Sequence, residues 1–467
     1  MFEIALQNGR IYDPESGKAE VASVGIQDGI IETISSVPLP AIREINAEGL
    51  DIVPGFIDIH MHEDSLENGV CDPVIGTAML RMGVTTAVGG NCGFSPEPLS
   101  QYFDFIDRCG YPINLALYLG YNAVRQNLCP SDGGAAFRGC DAFLHFSPAE
   151  IATLEPKIRE GMRDGALGLS FGLEYSPGCT TEEMIQACRS LRDYGHSLIA
   201  AHYRYDADRA PESVSEAVMV SRETKVPFQF SHIGSCAAFG NDSLMNRSLG
   251  LLEQARAEGI DILSDCYPYT AFSALIGTAV FDEGCFERWR SSCESIYVAE
   301  GTYSGCFCTP EIFAELRKNA PNTRVIGFVM TDAGVDAALR HPLVMVASDG
   351  RFIHGHGHPR GAGTFPRVLG RYVRERGVMT FEQAIDKMTL MPAKRLGLSR
   401  KGRLQEGCDA DLVAFDRNNV LDKADFGTPL LPPEGIRYVF VRGHLCIDGC
   451  IMADKMAGRA VRRQNLG

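Results

Sequence analysis

The sequence predicts an α/β fold: a (β/α)8 barrel of the TIM type, with a small β-sandwich domain built from both chain ends. Three observations predict it. The middle of the chain alternates eight apolar strands with amphipathic helical segments. Both ends instead carry short strands broken by Gly-containing turns. The 467 residues, 45% hydrophobic, suffice for a barrel of ~250 residues or more plus an appendage.

Taken in order, residues 1–52 give the strands Ile4-Ala5-Leu6, Gly9 to Tyr12, Ala22 to Ile26 and Ile30 to Ile34, with Gln27-Asp28-Gly29 as a turn. The barrel strands follow at 53–59, 86–90, 114–118, 166–170, 198–201, 227–231, 261–264 and 343–347. Between them, Ile151, Leu154, Ile158 and Met162 keep helical spacing, as do Met184, Ala187, Cys188 and Leu191. Residues from about 275 to 340 exceed one crossover and read as a small insertion. The strands Asp411 to Phe415, Arg437 to Val441 and His444 to Ile447 return the chain to the texture of its start. Residues 1–52 and 400–467 are therefore assigned to the sandwich and 53–399 to the barrel. A doubly wound sheet is the alternative, but no Gly-x-Gly-x-x-Gly follows the first strand to support it.

Composition narrows the partners. A formal charge of −15 without a dense Lys/Arg block disfavours nucleic acid. No apolar run is long enough to span a bilayer, and the first residues lack the pattern of a signal peptide. Sixteen cysteines without a repeating framework read as reduced thiols in the cytoplasm. A small-molecule substrate and a monomer or homodimer are expected.

Barrel chemistry collects at the C-terminal ends of the strands. His60 and His62, two apart, project to one face as the first strand ends. The second strand runs into Asn91-Cys92-Gly93, the fifth ends in His202, the sixth in Ser231-His232 and the eighth in Ser348-Asp349-Gly350. Any one of these histidines alone reads as hydrogen-bonded cover. Five imidazole or thiolate donors and one carboxylate on five strand ends read together as a metal or catalytic cluster. His354-Gly355-His356-Gly357-His358 reads as a lid, and Cys306-Phe307-Cys308 as packing.

The sequence resembles the amidohydrolase superfamily and, within it, the N-acyl-D-amino-acid deacylases (D-aminoacylases). The likeness runs through Pro54-Gly55-Phe56-Ile57-Asp58-x-His60-x-His62, Asn91-Cys92-Gly93 and Gly172 to Gly178. It continues through Ala201-His202, Ser231-His232, Asp265-x-Tyr267-Pro268-Tyr269 and Ser348-Asp349-Gly350. His358-Pro359-Arg360, Gly363 to Arg367 and Gly407 to Leu412 complete it. The resemblance implies a tightly held zinc on Cys92, His202 and His232, and a weaker second metal at His60 and His62 with Cys92 shared. Asp349 counts both as a donor at the metal site and as the general base and acid. No lysine lies in the fourth strand to be carboxylated as a bridge, which makes the Cys92 thiolate more necessary.

The implied reaction is hydrolysis of the amide of an N-acyl amino acid. Zinc brings the pKa of a bound water to ~7, Asp349 takes the proton and passes it to the leaving amine, and Tyr175 donates to the oxyanion. Family members grip the substrate carboxylate with a lysine after the sixth-strand histidine and with the arginine of His-Pro-Arg. Here the lysine position is Gly234, which leaves Arg360, with a hydroxyl from Tyr267 or Tyr269. A hydantoinase-like hydrolase of a cyclic amide or ureide is the alternative, and a non-catalytic zinc barrel a further one.

Overall fold

The computed structural model describes residues 1–467 except 68, 127, 129–141, 240–241, 450, 454–455 and 467. Eight parallel strands form the barrel: β1 (Phe56–Asp58), β2 (Val84–Gly89), β3 (Asn114–Leu117), β4 (Gly168–Gly172), β5 (Leu198–His202), β6 (Phe228–Phe230), β7 (Ile262–Cys266) and β8 (Val344–Val346). Each is apolar because it is covered on both faces, by helices outside and by the other strands' side chains inside. β3 pairs with β2, and the chain just beyond it, Leu119–Gly120, pairs with β4. From β4 to β8 neighbours pair in sequence order. The ring closes where β1 and β8 end: the Asp349 N–H donates to the His60 carbonyl at 2.7 Å, and the His62 N–H to the Gly350 carbonyl at 2.9 Å. Closure thus binds the two segments that carry His60, His62 and Asp349.

Both chain ends meet in one nine-stranded sheet. Leu412–Phe415 pairs antiparallel with Asp51–Pro54, which lies beside Phe2–Asp13. Leu6, Ile11, Val24, Leu412 and Phe440 fill its own small core. The strand expected over 53–59 is divided. Val53 and Pro54 belong to the terminal sheet, opposite Val413 and Leu412, and the barrel strand starts at Phe56. Gly55 makes the transfer, since a Cβ there would meet Thr85 Oγ1 at 2.2 Å. Beyond the sheet, the last residues run under the barrel, where Val461 N–H donates to Leu115 O and Arg463 N–H to Gly165 O.

Between β7 and β8 the chain forms a three-stranded antiparallel sheet in the order Phe272–Leu275, Arg324–Gly327, Ile296–Val298. Phe281, Trp289 and Phe313 pack edge-on beside it. No helix among the described residues is long and apolar enough to cross a membrane.

Candidate metal centre

The strand ends converge. Cys92 Sγ is 3.4 Å from His60 Nε2 and 3.7 Å from His232 Nε2. Asp349 Oδ1 is 3.1 Å from His62 Nε2 and 3.5 Å from His60 Nε2. Two donor groups result, His60, His62, Cys92 and Asp349 in one and Cys92, His202 and His232 in the other, each with ligand atoms within 4.8 Å of one another. Cys92 is common to both. All six side chains expected as metal donors are brought together.

The backbone is bent to do this. Cys92, His232 and Asp349 have φ of 54°, 34° and 49°, left-handed conformations that non-glycine residues seldom adopt and that cluster at functional sites. Before Cys92, Gly90 (φ +70°) turns against the third strand, where a Cβ would lie 2.2 Å from the Tyr118 carbonyl oxygen. Asn91 Nδ2 donates to Val88 O at 2.9 Å and Met61 O at 3.3 Å, which holds Cys92 to the end of β1.

Neighbours to which the sequence assigned no role orient the ligands. Glu174 Oε2 and His202 Nε2 share a hydrogen bond of 2.9 Å. Ser235 Oγ is 3.0 Å from His232 Nδ1. Asp265 accepts the His232 backbone N–H at 2.8 Å and lies 3.6 Å from His60 Nδ1. Such partners fix ring orientation at metal sites. The available signal was position: Glu174 and Asp265 also sit at barrel strand ends.

The set fits a zinc-like metal. His202 Nδ1 is buried without a hydrogen-bond partner, a free imidazole nitrogen within a cysteine–histidine cluster. Burial lowers the pKa of His202 to about 3 and that of His232 well below the usual histidine value, so both rings are neutral, the form that ligates. Burial pushes the Cys92 thiol up. It pushes the Glu174 carboxyl up to about 8. Asp349 differs: burial opposes its charge, but the Arg360 guanidinium, the His62 hydrogen bond and the other nearby imidazoles hold it well below the usual carboxylate range.

A cavity beside the donors is lined by Tyr175, His232, Tyr267, Ser273, Asp349 and Arg360, among others. Arg360 Nη2 pairs with Asp349 Oδ2 at 2.8 Å, and its guanidinium lies 4.5 Å from the Tyr267 ring centroid. His358 Nδ1 accepts the Arg360 backbone N–H at 3.0 Å. Tyr269 is not brought to this cavity; its ring packs against His358 and Arg367. Of the two tyrosines expected to reach substrate, only Tyr267 lines the cavity. The histidine-rich segment forms a short hairpin, Phe352–Ile353 with His356–Gly357.

Residues 308–447 match the amidohydrolase family. The chain is 31% identical to the N-acyl-D-glutamate deacylase of Alcaligenes xylosoxydans xylosoxydans, over 95% of this chain and 93% of that one. It is 30% identical to the D-aminoacylase of the same organism, over 99% and 98%. The solved N-acyl-D-glutamate deacylase of Bordetella bronchiseptica, in complex with zinc and a phosphonate mimic of the tetrahedral intermediate, superposes with a TM-score of 0.85 at 29% identity, covering 99% of both chains. With identities of 30% and more over nearly the whole length of both chains, the chain belongs to the amidohydrolase family, on the branch of the N-acyl-D-amino-acid deacylases.

Proposed function

We propose that the protein hydrolyses N-acyl-D-amino acids to a carboxylate and a free D-amino acid, with zinc held by Cys92, His202 and His232. The observation that carries this reading is Asp349, an ionised carboxylate that touches His60 and His62 on one oxygen and Arg360 on the other. A purely structural metal site has no use for that arrangement.

When bound, the metal supplies Lewis acidity, polarising the amide carbonyl and acidifying the attacking water. Asp349 accepts the proton released as the water oxygen bonds to the acyl carbon. It then delivers that proton to the amide nitrogen as the C–N bond breaks. Burial pushes the Tyr175 hydroxyl well above its usual pKa, which keeps it a neutral donor for the developing oxyanion. Arg360 Nε and Nη1 are buried without hydrogen-bond partners, matching a bidentate grip on the substrate's free carboxylate, with Tyr267 beside it. A cyclic ureide without an acid substituent would leave those donors unpaired, which favours the linear amide.

The free state of every described cysteine supports action in the cytoplasm, and nothing in the reaction calls for more than a monomer or homodimer. The test is zinc content together with a hydrolysis screen of N-acetyl and N-formyl amino acids in both configurations. About one tightly held zinc and release of amine from the D forms is the expected outcome. Zinc without turnover of any acyl amino acid would overturn the assignment.

A further inference from the structure

The donor cluster borders a second cavity that the proposed reaction leaves without a role. It holds about 400 Å³, within the range of small-molecule sites, and lies among the segments that follow β1, β2 and β8. His62 lines it. The His62 side chain is 17% exposed and that of His60 1%, so His62 is where the cluster meets this space. Phe94 lines it too. The Phe94 ring centroid is 6.4 Å from that of Tyr175, which belongs to the wall of the cavity with Arg360. His62 and Phe94 therefore stand between the two cavities.

The shape of an amide says what would fill the second one. A secondary amide is planar and trans, so its acyl chain and its amino-acid carbon leave the C–N bond in opposite directions. Asp349 touches Arg360 through Oδ2 at 2.8 Å and His62 through Oδ1 at 3.1 Å. An amide with its nitrogen at Asp349 and its carboxylate at Arg360 sends the acyl chain the other way, past His62 and Phe94.

The walls there select by charge. Leu66, Pro96 and Pro98 are apolar, and the carboxyl groups of Glu63, Asp64 and Glu97 outnumber the guanidinium of Arg351. Two of these acids are fixed by the fold. Glu63 accepts the Gly90 N–H at 2.6 Å, and Asp64 accepts those of Ile75 and Gly76 at 2.9 Å and 3.1 Å. A second carboxylate on the acyl chain would meet like charge.

We infer that this cavity is the acyl subsite, and that the preferred substrates carry a neutral acyl group longer than acetyl. The inference rests on the deacylase reading above and adds the acyl class to it.

The experiment compares N-acetyl-, N-hexanoyl- and N-succinyl-D-alanine on zinc-loaded wild type, Gln101→Trp and Gln101→Ala. Gln101 is an exposed residue of the helix Leu99–Cys109 that lines the cavity, so an indole there takes up space without entering the core. On wild type the hexanoyl compound should exceed the acetyl compound in kcat/KM by about tenfold or more, within what its extra methylenes supply when buried. The succinyl compound should fall below the hexanoyl one. Gln101→Trp should lower the hexanoyl-to-acetyl ratio by about tenfold with zinc content and Tm unchanged, while Gln101→Ala keeps the ratio. Equal use of acetyl and hexanoyl substrates, preference for the succinyl compound, or an unchanged ratio in Gln101→Trp would overturn the subsite. If wild type hydrolyses none of them, the deacylase reading falls, and calorimetric titration with the same compounds decides the subsite. Tighter binding of the hexanoyl compound than of the acetyl one, lost in Gln101→Trp, supports it; equal binding overturns it.

Discussion

Cys92 stands between the two donor groups, and the state of its thiol decides how a metal enters. Burial keeps His202 and His232 neutral and Cys92 protonated. Zinc binding to the metal-free protein at pH 7 should therefore expel the proton of the thiol, to which ionisation of the bound water adds. Calorimetry in buffers of differing protonation enthalpy counts the release; none at all would mean that the thiol begins ionised. The histidines were legible in sequence because each closes an apolar strand. Glu174 was not assigned a role, because its partner His202 lies on the next strand, 28 residues on.

At the scale of elements, the strands were readable from their apolar runs, but the junction at residue 55 was not. Val53 to Ile59 looks continuous until the partner of its first part, Leu412–Phe415, arrives from the far end of the chain. The turn after β2 has a sharper constraint. Gly90 combines a positive φ with backbone contact from Tyr118, so Gly90→Ala has neither the conformation nor the space. It should cost about 1–3 kcal/mol or more and displace Cys92. The expected outcome is a lowered Tm together with reduced zinc retention after desalting. Wild-type zinc content in this variant would show that the turn does not position the thiol.

For the whole molecule, the donors come from β1, β2, β5 and β6 and the segments that follow them, with Asp349 from the segment after β8. A bound metal thus ties together strands that are far apart in the chain. A ligand held only by the folded state stabilises by RT ln(1 + [L]/Kd), about 4 kcal/mol at a thousand times Kd. Removal of the metal with a chelator should lower Tm by several degrees, and added zinc should restore it. An unchanged Tm would mean that the cluster takes no tight metal. The barrel with a terminal β-rich unit was legible from the alternation of the middle and the texture of the ends. The course of the last residues under the barrel was not, since they carry no periodic signal of their own.

The most direct test of the central claim is turnover of an N-acyl-D-amino acid by zinc-loaded Asp349→Asn. The account predicts wild-type zinc content with kcat reduced by roughly 10²- to 10⁴-fold, the range of a lost general base. Near-wild-type turnover with zinc in place would contradict it.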